Sequence, residues 1–515
     1  MGLAKAHGGA VLGVDATIIE VEVNVGGGQI SYFLVGLPDA AVKEGQFRIE
    51  AALKNNDYPM PRQKVVINMA PADIRKEGSA YDLTLAIGIL SASGALLETK
   101  NIEDYIIMGE LSLDGSLRPI KGVLPIAIEA MNQQFKGFIL PKENAREAAI
   151  VKNLNVYGVA NITEVVEFLR GQRELTPTVI NTREEFYSNQ THSQLDFSDV
   201  KGQKNIKRAL EIAASGGHNV ILIGPPGAGK TMLAKRLPGI LPPLTLREAL
   251  ETTKIHSVAG KLKSNASLIN VRPFQSPHHS ISDVALVGGG TIPQPGQISL
   301  AHNGVLFLDE LPEFKRSVLE VMRQPMEERR VTVSRAKFTV EYPASFMLVA
   351  SMNPCPCGYF NHPEKECVCA PGLVQKYLNK ISGPLLDRID LHVEVTPVPF
   401  DELSSMTTDE SSELIRERVI AAREIQKKRF EGETDIFCNA QMSSRMVREV
   451  CAIGSPGQKL LKTAMERLNL SARAYDRILK VARTIADLAG SEDIKIEHLA
   501  EAIQFRSLDR ENWAG

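Results

Sequence analysis

Asn219-Val-Ile-Leu-Ile-Gly-Pro-Pro-Gly-Ala-Gly-Lys230-Thr231 is the stretch on which the reading of this chain turns. Val220 to Ile223 form a short apolar, β-branched segment. It runs directly into Gly224, Pro225, Pro226, Gly227, Ala228, Gly229, Lys230 and Thr231, a match to the G-x-x-x-x-G-K-[ST] phosphate-binding template. Glycines let the backbone wrap an anion with its N–H groups turned inward, and a helix starting there offers the positive end of its dipole. Lys230 is placed to reach the β- and γ-phosphates and the Thr231 hydroxyl to ligate Mg²⁺, so ATP and Mg²⁺ are the expected cofactors. A Gly/Pro turn matching by accident is the alternative. The strand before the motif and the helix-forming Met232-Leu-Ala-Lys-Arg-Leu237 after it supply the context the motif requires.

A chain of 515 residues is too long for one core, and roughly two to four domains are expected. With 43% hydrophobic and 23% charged residues it reads as soluble and globular. The formal net charge of -2 gives no global pull toward nucleic acid, so any DNA-binding surface has to be local. No run of about 18 apolar residues occurs, and Met1 to Ala10 lacks an apolar signal core. Neither a membrane span nor a signal peptide is indicated, and the cytoplasm is the expected location. Six cysteines in a chain this long argue against a disulfide scaffold, and four of them are bunched in a way that suggests metal.

Outward from the opening motif, Val200-Lys-Gly-Gln203 leads into a predicted helix from Asn205 to Ala214, closed by Gly216-Gly217. Downstream, Gly304-Val-Leu-Phe-Leu-Asp309-Glu310 reads as a buried strand ending in two carboxylates. Asp309 suits holding Mg²⁺ through water, and Glu310 suits polarising the attacking water. A strand from Ser345 to Ala350 then reaches Asn353-Pro, where the asparagine alone would be a turn residue. Ser382-Gly-Pro-Leu-Leu-Asp387-Arg388-Ile-Asp390 carries an arginine whose plain reading is a surface ion pair with Asp387 or Asp390.

Cys355-Pro-Cys357 and Cys367-Val-Cys369 bracket a polar loop containing His362. Four thiolates so spaced suit a tetrahedral Zn²⁺ site, with reduced, unliganded thiols as the alternative. His278 and His279 read as hydrogen-bonded structural residues outside that set. Arg329-Arg330-Val-Thr-Val-Ser-Arg335-Ala-Lys337-Phe-Thr-Val alternates like a β-hairpin with its basic residues at base and tip. From about Asp401 the pattern is helical. Ser411 to Phe430 is amphipathic, Ser455-Pro456 reads as N-cap and N1 of a helix to Leu468, and Ser471 caps the next. Arg473 falls in that helix's first turn, where a cation works against the dipole and a functional use is favoured; Arg477 and Lys480 share its face.

Ahead of all this, Val14 to Val25 alternate, Gly26-Gly27-Gly28 turns, and Ile30 to Val35 returns, which predicts a β-hairpin. A helix capped by Asp39 follows, then a strand (Val65 to Met69), a helix (Leu83 to Ala92), a strand (Tyr105 to Gly109), a turn at Leu113-Asp-Gly-Ser, a helix (Val123 to Met131), and further strand and helix to Leu169. This is an α+β or α/β domain. After Gly171 the sequence turns polar and aperiodic, as a linker does.

Two passages of this first domain, Arg75-Lys-Glu-Gly-Ser-Ala-Tyr-Asp-Leu and Gly109-Glu-Leu-Ser-Leu-Asp-Gly-Ser-Leu-Arg-Pro-Ile-Lys-Gly-Val, resemble the Lon protease domain and its ribosomal-protein-S5-like fold. By that resemblance the nucleophilic serine position is Ala80 and the catalytic lysine position is Ile126. A Ser–Lys peptidase needs both a hydroxyl and an amine, so its chemistry is absent, unless Ser79 and Lys121 replace them by a register shift.

GPPGAGKT, ALVGGGTIPQPGQISLAHNGVLFLDE, SMNPCPCG, GPLLDRID and SARAYDRILKVARTIADL together resemble the magnesium-chelatase-like AAA+ proteins, and specifically the bacterial YifB/ComM family, over essentially the whole chain. The resemblance implies an α/β AAA+ core (199–400) with a helical C-terminal lid (401–515), preceded by the Lon-like domain (1–171) and a linker (172–198). It implies that Gln203 belongs to a segment lining the adenine pocket and that Asn353 is sensor 1. Arg388 is then a finger completing a neighbouring subunit's site, and Arg473 a sensor 2 reaching the γ-phosphate of its own subunit. The helix-2 insert at Gly288 to Gly296 and the hairpin would project into a central pore, where Arg329, Arg330, Arg335 and Lys337 contact phosphates without reading sequence. The implied activity is that of a homo-hexameric ATP-driven DNA helicase for branch migration in homologous recombination and natural transformation. A chelatase-type metal-insertion motor, an ATP-dependent peptidase and a non-catalytic scaffold are the competing classes.

Overall fold

The computed structural model describes residues 2–188, 195–262, 267–290, 293–335, 338–362, 364–398, 409–433, 436–468 and 470–506. Its first unit is a seven-stranded mixed sheet in the order Ser31–Val35, Lys64–Ala70, Asp15–Gly26, Gly2–Leu12, Tyr105–Ile107, Gly137–Pro141, Asn155–Val159. The helices Asp82–Ala92 and Val123–Asn132 bury their apolar sides against its central strands. Asp39 caps the helix Ala40–Asn55, its Oδ1 accepting from the Val42 amide at 2.8 Å, as its position before the helical pattern predicts.

The predicted hairpin is corrected. Asp15–Gly26 pairs antiparallel with Gly2–Leu12 on one side and with Lys64–Ala70 on the other, and Ser31–Val35 lies parallel to Lys64–Ala70. The first strand escaped the pattern because it is built of small residues, and packing requires them small. A Cβ at Gly9 would stand 2.7 Å from the Ile126 side chain, and one at Gly8 3.2 Å from the Tyr81 ring. The polar linker is also not wholly irregular: Thr182–Ser188 is a short helix whose Phe186 is buried against Leu244 and Ala249.

The second sheet is parallel throughout, in the order Phe274–Gln275, Val305–Leu308, Met347–Met352, Val220–Ile223, Leu391–Glu394. Its three central strands are buried at every residue, which is why they read as unbroken apolar runs. Ligands of open parallel sheets bind at the carboxyl ends of the strands, and the three central strands deliver their following loops to one such edge. Asn219 ties this sheet together. Its Oδ1 accepts from Leu348 N (2.9 Å), its Nδ2 donates to Arg388 O (3.0 Å), and its own amide donates to Asp390 Oδ2 (3.0 Å). The hairpin Arg330–Arg335 with Phe338–Pro343 forms as predicted.

The last unit is helical. Ser412–Arg429, Ser444–Val450, Ser455–Arg467, Ala472–Leu488 and Ile496–Gln504 share a core with the helix Lys204–Gly216 that precedes the phosphate loop. Ser471 caps as predicted, whereas the cap before Pro456 is Gly454 rather than Ser455. The front domain docks on the core through the helices Val123–Asn132 and Leu246–Val258. Gly122 N donates to Ser257 O (3.1 Å), and the buried Glu147 carboxylate accepts from both Leu124 N (3.0 Å) and the Ser257 hydroxyl. No helix among the described residues is long and apolar enough to cross a membrane.

Candidate functional site

Between Ile223 and Lys230 the chain turns through Gly227 (φ +78°) and Gly229 (φ +85°), left-handed conformations that glycine adopts without strain. A Cβ on Gly227 would touch nothing within 4 Å, whereas one on Gly224 would lie 2.4 Å from Val395 O. The loop therefore leans on the neighbouring strand at its start and is open at its crown, as a backbone cradle for phosphates must be. Lys230 begins the helix Lys230–Arg236 and its Nζ donates to Gly224 O (2.7 Å), Pro225 O (2.9 Å) and Asn353 Oδ1 (3.1 Å). Burial pushes its ammonium below the usual lysine range, against the opposing pull of Asp309 and Glu310. Ala228 closes the turn, its amide donating to Pro225 O at 3.3 Å.

Asp309 stands at the end of Val305–Leu308. Its Oδ2 accepts from the Thr231 hydroxyl at 2.7 Å and its Oδ1 from the Ser351 hydroxyl. One carboxylate thus joins the phosphate loop to the strand leading to Asn353. Glu310 sits in the left-handed region (φ 55°), which swings its side chain out of the strand into the cleft, where it is 59% exposed. The cleft holds about 410 Å³ and is lined by Glu310, Glu313, Asn353, Pro356, Tyr377 and Lys380, among others. His279 Nδ1 lies 3.7 Å from Glu310 Oε2, with its ring 4.0 Å from that of His278 and edge-on to Phe314. Sequence reasoning set His279 aside. Only its position just after the strand Phe274–Gln275, next to Val305–Leu308, reveals it. Asn219, Ser351 and Tyr377 were likewise missed, being common residues without a motif.

Gln203 is left-handed (φ 56°) at the start of Lys204–Gly216, and its Nε2 donates to Thr396 O at 2.8 Å, bridging to the chain that follows the last strand. Arg388 is buried, and its guanidinium pairs with Glu327, not with Asp387 or Asp390 as the plain reading had it. Asp390 is committed elsewhere, to Arg477 at 2.7 Å and His218 at 3.5 Å. Arg473, 62% exposed, reaches Asp387 at 3.8 Å. It therefore stands near Arg388, which follows Asp387 in the chain.

The four cysteines come together. Cys355 Sγ lies 3.2 Å from Cys357 Sγ and 3.7 Å from Cys367 Sγ, with Cys357 and Cys367 3.6 Å apart; all four sulfurs fall within 4.8 Å of one another. Four sulfurs about 2.3 Å from a tetrahedral Zn²⁺ stand roughly 3.8 Å apart, so the donor set fits. Of the hairpin's basic residues, Arg330 is paired with Glu341 (3.4 Å) and Glu328 (3.8 Å), and Arg329 donates to Gln441 O at 3.5 Å. Arg335 ends the first strand of the hairpin, and Lys337 lies outside the described residues. In the front domain Ile126 is buried and Ala80 offers only its carbonyl, to Gly109 N at 2.8 Å. Ser79 bonds Glu110, while the Lys121 chain lies against Gly260, so the register-shift alternative gives the two residues different partners.

A phosphate loop, a carboxylate pair and a polar sensor at the ends of three adjacent parallel strands, with a helical lid behind, define a P-loop ATPase fold of the AAA+ class. Family models for the magnesium chelatase subunit ChlI match residues 196–403 and 21–144, and its C-terminal model matches 409–506. The chain is 44% identical over 512 residues to competence protein ComM of Haemophilus influenzae, covering 99% of this chain and 98% of that one. It is 44% identical over 515 residues to the uncharacterized protein YifB of Escherichia coli, with the same coverage. Lon protease 2 of Bacillus subtilis is 32% identical over 159 residues, 28% of this chain and 27% of that one. The chain belongs to the YifB/ComM family of magnesium-chelatase-like AAA+ proteins.

Proposed function

We propose that this protein is an ATP-driven DNA helicase and translocase, working as a homo-hexameric ring in the cytoplasm. Its task is to promote branch migration in homologous recombination, including the integration of DNA taken up in natural transformation. The observation that carries this reading is the assembled hydrolysis site, Lys230–Asn353 and Thr231–Asp309–Ser351 with Glu310 facing the cleft, in a chain similar along almost its whole length to a competence protein.

Bound ATP·Mg²⁺ supplies the phosphoanhydride and its charge-neutralising cation. The loop amides of Gly227, Gly229 and Lys230 and the Lys230 ammonium would hold the phosphates, while Thr231 and Asp309 would hold the cation. Glu310 accepts a proton from water as that water attacks, and Asn353 orients the same water. Arg388 completes the nucleotide site of the adjoining subunit, and Arg473 acts as sensor 2 on the γ-phosphate of its own subunit. Arg329, Arg330, Arg335 and Lys337 are the proposed phosphate contacts, with Arg330 exchanging Glu341 for DNA. The tetrathiolate site holds Zn²⁺.

The test is ATPase stimulation and strand exchange on forked and four-way DNA, for the wild type and Glu310→Gln. Stimulation in the first and loss of hydrolysis by about 10²- to 10⁴-fold in the second are expected. Stimulation by a porphyrin or an unfolded protein, with none by any DNA, would sink the reading. The chelatase-motor alternative shares every ATPase residue. What weighs against it is the similarity, along almost the whole chain, to a competence protein.

A further inference from the structure

Resting on the reading of the ATP site and the metal centre above, we propose that the four cysteines form a structural clamp on the sensor. Metal held there fixes Asn353 and the phosphate loop relative to Glu310, and so sets the rate of hydrolysis rather than the affinity for nucleotide.

The two ends of the cysteine loop reach Asn353 from opposite sides. At the front, Asn353-Pro354-Cys355 is continuous and Cys355 is buried, so the first metal-ligating sulfur fixes the backbone two residues from the sensor amide. At the back, the chain leaves Cys369 through Ala370-Pro371-Gly372 and enters the helix Leu373–Leu378. The buried Tyr377 of that helix returns to the sensor, lining the same cleft as Asn353. Between the two ends the loop rests on the phosphate loop itself. Gly358 (φ +84°) passes so close to Pro226 that a Cβ would fall 2.5 Å from Pro226 Cδ. Gly358 is placed there by its amide bond to Cys355 O (3.0 Å), and Phe360 N donates to Cys355 Sγ at 3.3 Å. Pro356, between the first two cysteines, lines the same cleft as Glu310.

A loop this polar has little apolar surface of its own to hold it shut. Closing it on a borderline-soft divalent cation, Zn²⁺ among them, draws Cys355 and Cys369 together and with them both supports of Asn353. The Lys230–Asn353 contact at 3.1 Å carries that constraint into the phosphate loop. Groups around a metal centre that orient reacting residues commonly change activity 10- to 100-fold when lost.

The experiment measures metal content, basal ATPase without DNA, and binding of a fluorescent ATP analogue, on the full chain. About one equivalent of zinc per chain is expected, and less than about half would end the metal reading and this proposal with it. Removing the metal with a strong chelator, or by Cys357→Ser, is expected to lower kcat at least about ten-fold while analogue affinity changes less than about three-fold. Tyr377→Ala, which removes the ring packed beside Asn353 and keeps all four thiols and the metal, is expected to reproduce the kcat loss. In an Asn353→Ala background, chelation is expected to lower kcat by a clearly smaller factor than in the wild type, because the larger part of the clamp acts through that residue. Metal present with an unchanged rate on removal, or equal losses in both backgrounds, would overturn the coupling while leaving the metal site and the ATPase reading standing. Tyr377→Ala and chelation of the wild type keep the test decisive even where Cys357→Ser fails to fold.

Discussion

His279 and Glu310 show what a single residue adds that a motif does not. Their contact at 3.7 Å is between partly exposed groups, so it contributes at most about 1 kcal/mol, equivalent to about five-fold in a rate. That is too little to build a fold and enough to bias a carboxylate between two orientations. His279 precedes the Ser282-capped helix Asp283–Val287 that leads into the Gly288–Gly289 ribbon, so a ligand gripping the insert has a short path to Glu310. His279→Ala is expected to raise basal ATPase about two- to five-fold and to shrink stimulation by DNA by a similar factor. A fall of ten-fold or more would mean that the imidazole takes part in the chemistry itself.

Between elements, the joint that matters most is the lid helix Ala472–Leu488 against the segment carrying Arg388. Asp390 makes it. Burial alone would raise that carboxyl, but Arg477 and His218 outweigh burial and hold it far below the usual carboxylate range. The unfolded group titrates near pH ~3.9, so the folded state binds fewer protons there. The stabilisation is therefore complete above that pH and is lost progressively as pH falls from there towards the much lower folded value. Asp390→Asn leaves the half-buried Arg477 without its shortest partner and is expected to cost about 1–3 kcal/mol at pH 7, with the difference from wild type narrowing below about pH 4 in denaturant titrations. A difference independent of pH would place the effect in packing instead.

Such joints were invisible in the sequence, whereas the strands they connect were plain. Val220–Ile223, Val305–Leu308 and Met347–Met352 are buried on both faces, and unbroken apolar runs announce that. The phosphate loop, the carboxylate pair and the cysteine cluster were legible because each is local in the chain. The pairing of Asp15–Gly26 was not. Its neighbour Lys64–Ala70 arrives some forty residues later and takes the place a hairpin return would occupy. The strand Gly2–Leu12 hid because close packing against Tyr81 and Ile126 selects glycine and alanine, which carry little β signal. Asn219, with bonds to three separate segments, is an ordinary asparagine until those segments are folded together.

Across the whole molecule, the front domain and the ATPase core share buried polar contacts, so a displacement of the helix Leu246–Val258 is felt by Val123–Asn132. A buried Ile126 against Gly9 strengthens the domain as a support where a lysine would have needed a charged partner.

The pair between Arg388 and Glu327 bears on the behaviour of dilute solutions. An arginine held by its own chain is withheld from any other until that bond opens, so in the proposed ring two chains meeting would exchange an intramolecular partner for an intermolecular one. Specific activity should then climb with protein concentration more steeply than first order, with a lag on dilution and re-concentration. Glu327→Gln removes the competitor, and its half-maximal concentration is expected to fall about three- to ten-fold in a dilution series of ATPase rates. Equal curves for variant and wild type would show that the exchange costs nothing.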